Sequence, residues 1–212
     1  RADSPYKSIE DMRKASEPPK CGSTGTAGTD YILARLLEEA FPPLKIQTVT
    51  GYPGGSEIDV AVERGEVVCR GMTSAPFFGR EPFHTWRKKG FVRVLLVTNQ
   101  KRDPRAEEAS TIYELYEKHK TPEETRRVAD VIIRGGDFGR PTVAPPGTPA
   151  ERVQILRSAH AKALADPDLL GEAKKGKMEV EPVSGQELQE LAGKMLAQPP
   201  AVIARVKNIL GK

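Results

Sequence analysis

No stretch of this 212-residue chain approaches the roughly 20 consecutive apolar residues that span a bilayer. Histidine is scarce. His84, His119 and His160 have no His or carboxylate partner at i+4 on a shared apolar face, and all three read as surface residues. Neither they nor the two cysteines show a metal-ligand spacing, so no metal is expected. Both nucleotide signatures are missing as well. A phosphate loop ends in Gly-Lys followed by Ser or Thr, where this chain has Gly28, Thr29 and Asp30. The spacing Gly22, Gly25, Gly28 also departs from G-x-G-x-x-G, and no cofactor is expected. The chain starts with Arg1 rather than Met and shows no secretory h-region.

What is there suffices for a packed core, since 38% of the residues are hydrophobic. That allows one domain, or one domain and part of another. The net charge of +4 arises from acidic and basic residues that alternate along helices, so no nucleic acid is expected as a partner. The dense cluster Arg87-Lys88-Lys89 falls at a helix end, where cations favour the helix dipole, and reads as solvated.

The most informative segment is Lys20 to Asp30, Lys-Cys-Gly-Ser-Thr-Gly-Thr-Ala-Gly-Thr-Asp. Three glycines permit tight turns and close backbone approach to a ligand. Ser23, Thr24, Thr26 and Thr29 add hydroxyl donors, and the free amides of a following helix attract negative charge. A small carboxylate fits such a cradle better than a polyphosphate, because the loop holds no lysine. The alternative is a Gly/Thr-rich surface turn without a ligand.

Ser8 and Asp11 suggest a capped helix that stops before Pro18. Lys20 to Gly22 is a brief strand, and from Thr29 apolar residues recur at helical spacing to Ala40. Leu44 to Thr50 alternates as a second strand, and Ser56 caps a helix that Gly65 closes. Val67 to Met72 reads as a third strand and Val92 to Thr98 as a fourth, with a helix over Phe83 to Lys89 between them. Strands alternating with helices predict a parallel sheet whose ligands collect beyond the carboxyl ends of the strands. The turns 22–29, 51–56 and 71–75 would share that rim.

Cys21 and Cys69 lie in two of these strands. A disulfide is geometrically conceivable if the strands are adjacent, but two buried thiols are expected because in-register neighbours rarely offer bridge geometry. Past residue 100 two polar helices follow, the second opened by Thr121-Pro122-Glu123-Glu124, and then an extended crossing over 138–147. Pro149 is placed at the first position of the next helix and Asp166 caps another. Met178 to Val183 reads as a strand, Ser184 to Glu187 as a capping box, and Pro199 to Leu210 as the last helix.

Five segments in this order resemble the tripartite tricarboxylate transporter receptor family, the Bug-type periplasmic solute-binding proteins. They are Cys-Gly-Ser-Thr-Gly-Thr-Ala-Gly-Thr at 21–29, Gly-Tyr-Pro-Gly-Gly at 51–55, Glu-Arg-Gly-Glu-Val at 63–67, Ala-Pro-Pro-Gly-Thr-Pro-Ala-Glu at 144–151 and Ala-Leu-Ala-Asp-Pro at 163–167. The resemblance implies an α/β, type II periplasmic-binding-protein-like lobe: a mostly parallel sheet flanked by helices, from residue 4 to 140. Residues 141 to 212 would then be the crossover and C-terminal helices of an incomplete first lobe. It also implies a Venus-flytrap receptor that is not an enzyme. Such a receptor binds a small organic anion, a carboxylate by preference, and presents it to membrane permease subunits from the periplasm. The signal peptide would have left with an absent N-terminal part, and the truncated chain would expose apolar surface that invites self-association.

By the same resemblance the ligand-binding residues are Ser23, Thr24, Gly25, Thr26, Ala27, Gly28 and Thr29. Tyr52, as a wall of the site or alternatively packed beside Pro53, and Ser74 join them. Arg70 is a candidate for bidentate pairing with a carboxylate, its alternative being a salt bridge to a helix carboxylate. Arg140 completes the set, and no catalytic residue is assigned. The family pattern carries an aspartate where this chain has Val68, followed here by Arg70-Gly71. The rival readings are an α/β enzyme acting on a small carboxylate with Cys21 or Ser23 as nucleophile, and a ligand-sensing regulatory module.

Overall fold

The computed structural model describes residues 1–176, 178 and 180–211. It falls into two compact units, Arg1–Ile133 with Pro200–Lys212, and Arg134–Pro199.

The first unit is an α/β arrangement. Helix α1, Ile9–Lys14, starts where Ser8 Oγ accepts from Asp11 N–H, while the Asp11 carboxylate accepts from Lys7 N–H. Strand β1, Lys20–Gly22, pairs in parallel with β2, Gln47–Val49, in the register Cys21 to Thr48. Helix α2, Thr29–Ala40, joins them and has the bounds its apolar spacing predicts. Helix α3, Gly55–Arg64, begins one residue before the expected Ser56 cap; Gly54 is its N-cap without a side-chain bond, and Gly65 closes it.

The third strand does not form as expected. Val68 N–H donates to Lys20 O and Gly22 N–H to Cys69 O, and only the Cys21–Cys69 bridge extends the ladder. Beyond that bridge the Arg70 side chain turns to Gly55 and Asp59, and Gly71 is pressed against α2. The two cysteines are correspondingly not free thiols. They form a disulfide, with the Cα atoms 4.4 Å apart at this strand-to-strand bridge. That separation lies within the reach of a disulfide, and the expectation of buried thiols is corrected.

Two helices follow, α4, Ser74–Gly79, which the sequence reading did not anticipate, and α5, Phe83–Lys88. The fourth strand is short. Leu96–Val97, β3, pairs in parallel with β4, Ser110–Thr111, in a separate two-stranded sheet. Helix α6, Ile112–His119, opens with a capping box of Thr111 and Glu114, and α7 spans Glu123–Gly135.

The faces of β1 explain the layering. Cys21 belongs to a cluster with Leu36, Leu37, Phe41, Leu44, Ile112 and Tyr116, supplied largely by α2 and α6. Gly22 faces the other way, where an added Cβ would lie 2.5 Å from Ile58 of a second cluster with Val62, Val67, Phe83 and Trp86. Both faces of the β1–β2 ribbon are thereby covered, as parallel strands require. His119 is not a surface residue: its side chain is 8% exposed, packs edge-on against Phe41, and accepts at Nδ1 from Arg13. The terminal helix α11, Pro200–Ile209, belongs to this unit through Arg205, which pairs with Glu39 of α2 and Glu124 of α7.

The second unit holds α8, Ala150–Leu164, α9, Pro167–Lys175, and α10, Gly185–Leu196. Helix α8 starts after Pro149, which is its N-cap rather than its first residue. Asp166 caps α9, and Ser184 with Glu187 forms the expected box on α10. Glu179, in the strand expected over 178–183, lies outside the described residues; the others of that segment show no strand pairing. Ala173 is the one buried apolar residue among those described in this unit, while Ile155, Leu156 and Leu196 are exposed.

Candidate functional site

Parallel pairing of β1 with β2 and the parallel Cys21–Cys69 bridge send three chain segments toward the same edge. The turns that leave them, 23–28, 50–54 and 70–73, start from that edge. Two close contacts tie them together. A Cβ on Gly71 would lie 2.8 Å from Leu33 Cδ2 and 3.3 Å from Asp30 Cα, at the first turns of α2. A Cβ on Gly55 would lie 3.0 Å from Arg70 Nη2.

Within the glycine loop the residues divide by direction. Ser23 is fully buried: its N–H donates to Val49 O at 2.8 Å, and its hydroxyl donates to Asp30 Oδ1 at 2.7 Å and accepts from Gly25 N–H at 3.2 Å. Asp30, also buried, accepts from Tyr31 N–H at 2.8 Å through the same oxygen. Thr24, Thr26, Ala27 and Thr29 are exposed, and Gly25 and Gly28 half-buried.

Two glycines make this shape. Gly25 has φ +154, which L side chains rarely adopt, and Gly28 N–H donates to Gly25 O at 2.9 Å. A Cβ on Gly28 would lie 2.5 Å from both Thr24 Oγ1 and Asp30 Oδ1. Gly28 is the N-cap of α2 and makes no side-chain cap bond; Tyr31 N–H is taken by Asp30, and the amides of Thr29 and Asp30 are left for a ligand or water. Among the described residues the N–H groups of Thr24, Thr26, Ala27 and Thr29 donate to no protein acceptor. Open amides, flanking hydroxyls and the positive end of a 12-residue helix are a setting in which a carboxylate is stabilised.

Arg70 takes the salt-bridge alternative. Its Nη1 donates to Asp59 Oδ1 at 2.6 Å and to Gly55 O at 2.7 Å, and Nε is buried without a partner. Burial pushes the Asp59 carboxyl above the usual range, and Arg70 works against that shift. Tyr52 is half-buried against the second apolar cluster, and Ser74 is exposed at the first turn of α4. Arg140 is exposed and belongs to the second unit. Among the described residues no three His, Cys, Asp or Glu converge as a metal cage.

Sequence reasoning missed Asp30 and Asp59, the two carboxylates that hold the rim's polar side chains. An acid in the first turn of a helix is common for dipole reasons alone, so Asp30 carried no separate signal. Asp59 sits on the buried face of α3 beside Ile58 and Ala61, and a charge at such a position does mark a buried partner.

No protein-family model and no curated protein matches the chain. Solved structures do. A TctC solute-binding protein from Polaromonas, solved without ligand, superposes with a TM-score of 0.61 at 17% identity, covering 97% of this chain and 64% of its own. Rpa4515 of R. palustris, solved with adipate, gives 0.58 at 21% identity, covering 99% and 62%. This chain thus spans less than two thirds of the length of either protein, and over that span it has their periplasmic-binding-protein-like α/β fold.

Proposed function

We propose that the chain is the larger part of an extracytoplasmic solute-binding receptor that takes a small organic anion with a carboxylate group and feeds a tripartite tricarboxylate-type transporter. The observation that carries this reading is the set of amides at Thr24, Thr26, Ala27 and Thr29, without a protein acceptor among the described residues, together with the exposed threonines beside them, at the start of α2 and beyond the carboxyl end of β1. Thr24, Gly25, Thr26, Ala27, Gly28 and Thr29 hold the carboxylate, Tyr52 and Ser74 border it, and Ser23 with Asp30 keeps the loop in shape. Residues 4–140 act as one lobe. The segment 141–212, with its exposed Ile155, Leu156 and Leu196, is the crossover and C-terminal helical part of the first lobe, and Arg140, just before that crossover, also meets the solute. Membrane permease subunits receive the solute.

Two further points support it. The fold is that of a TctC solute-binding protein and of a protein solved with adipate. The Cys21–Cys69 disulfide suits an oxidising compartment such as the periplasm. An enzyme with Cys21 or Ser23 as nucleophile is disfavoured, because Cys21 is in the disulfide and the Ser23 hydroxyl is enclosed against Asp30.

Isothermal titration of the protein with adipate, shorter dicarboxylates and aromatic carboxylates tests the reading. Saturable binding of at least one is expected, lost when Thr24 and Thr26 are both changed to Ala. Silence across the whole panel would overturn it.

A further inference from the structure

Between Arg80 and Arg105 the chain carries eight Arg and Lys residues against two carboxylates, Glu81 and Asp103. That is a formal +6 in a protein whose total is +4, so the rest of the molecule is net acidic. Elsewhere in the first unit, Arg1, Arg13, Arg35, Arg70 and Arg126 each pair with a carboxylate. In this segment Arg102 and Arg105 are paired, with Glu114 and Asp103. Arg80, Arg87, Lys88, Lys89, Arg93 and Lys101 form no salt bridge with a carboxylate among the described residues, although Arg87 lies near enough to Asp103 to help lower its pKa.

Part of this charge lines a cleft of about 400 Å³ formed by Phe77, His84, Arg87, Lys88, Val92, Val94, Arg105 and Glu108. Arg87 is not simply solvated, as its place at a helix end suggested. Its guanidinium lies 4.6 Å from the centre of the Phe78 ring and 5.6 Å from that of Phe77, and it donates to Arg105 O at 3.0 Å. Arg105 lies 4.0 Å from the Phe78 ring centre, held there by two bonds to Asp103. One ring therefore carries two guanidiniums, which fixes both against the loss of side-chain freedom that binding costs. The result is an ordered cationic rim beside the apolar carbons of Phe77, Val92 and Val94.

We infer that this cleft docks an acidic segment of a partner protein, with Glu or Asp side chains on Arg87 and Lys88 and an apolar side chain between Val92 and Phe77. Charge complementarity selects the partner, since unneutralised cations favour and steer a chain of opposite sign. The recessed apolar residues favour a peptide over a lipid surface, whose headgroups meet cations without entering a cleft. The inference is independent of the receptor reading, because none of these residues belongs to the glycine loop.

The test is fluorescence anisotropy with a fluorescein-labelled Glu-rich peptide that carries a central Leu-Phe pair. Saturable binding is expected, weakened about fivefold by Lys88→Glu and by Arg87→Gln, and falling steeply with added salt. Lys88 is exposed and makes no side-chain bond among the described residues, so its variant folds even where Arg87→Gln does not. Lys174→Glu on α9 makes the same change in net charge and should leave binding intact. Absence of saturable binding would overturn the inference, as would an equal loss in the Lys174 variant. So would Lys88-dependent binding to anionic phospholipid vesicles with none to the peptide.

Discussion

The hydroxyl of Ser23 donates to the carboxylate of Asp30 at 2.7 Å, with both residues buried beneath the glycine loop. This bond joins the end of β1 to the first turn of α2 and sets which groups of the loop face outward. Ser23, one of the expected ligand residues, supports the loop from within, and in the proposed receptor the solute meets the threonines and amides around it.

Ser23→Ala and Thr24→Ala should therefore separate. The first deprives a buried carboxylate of a donor and costs roughly 1.5–3 kcal/mol of folding stability. The second leaves the melting temperature nearly unchanged and lowers affinity for whichever carboxylate binds, by about tenfold. Thermal melts and titrations on both variants check this; a Ser23→Ala protein of unchanged stability would contradict the supporting role.

The Cys21–Cys69 bridge joins positions 48 residues apart, and closing a loop of that length in the unfolded chain contributes about 4 kcal/mol. Replacing both cysteines by Ser, or adding reductant, should lower the urea midpoint accordingly. Identical unfolding curves with and without reductant would show that the bridge does not form in solution.

Arg70 and Asp59 form a pair with side chains 15% and 11% exposed. Asp59→Asn leaves the guanidinium bonded to Gly55 O without a counter-charge, at a cost of about 3 kcal/mol. Asp59→Leu combined with Arg70→Met should recover part of that loss. A double-mutant cycle in the unfolding free energies measures the coupling, and a coupling near zero would remove Arg70 from the account of the rim.

His119 gives the protein a specific acid sensitivity. Burial first, and then the nearby Arg13, push its pKa below the ordinary 6.5, and Nε2 has no hydrogen-bond partner, Glu10 Oε2 being 3.6 Å away. The folded state holds the imidazole neutral while the unfolded chain protonates it. Unfolding in acid therefore takes up a proton. The stabilisation is fully present above about 6.5 and is lost as pH falls from there through the depressed native value. Melts between about pH 7.5 and 5 should show a steeper decline for the parent protein than for His119→Gln, and equal slopes would refute the assignment.

The sequence by itself determined whatever depends on neighbours a few residues apart. Helix α2 has the limits its apolar spacing predicts, and Ser8, Asp166 and Ser184 cap the helices they precede, because capping and amphipathic burial are local. The tight turn at 22–29 was legible for the same reason, because its shape depends on glycines within a few residues of one another. Tertiary structure alone decided the rest. A strand at 67–72 required a continuous ladder of backbone partners, and among the described residues the pairing with β1 stops at Cys69. The disulfide required an approach between Cys21 and Cys69 that spacing cannot supply, and His119 was buried by Phe41, far away along the chain. The direction of the Ser23 hydroxyl was likewise set by where α2 places Asp30. A side chain's partner is a property of packed elements, and only its propensity is written in the residues beside it.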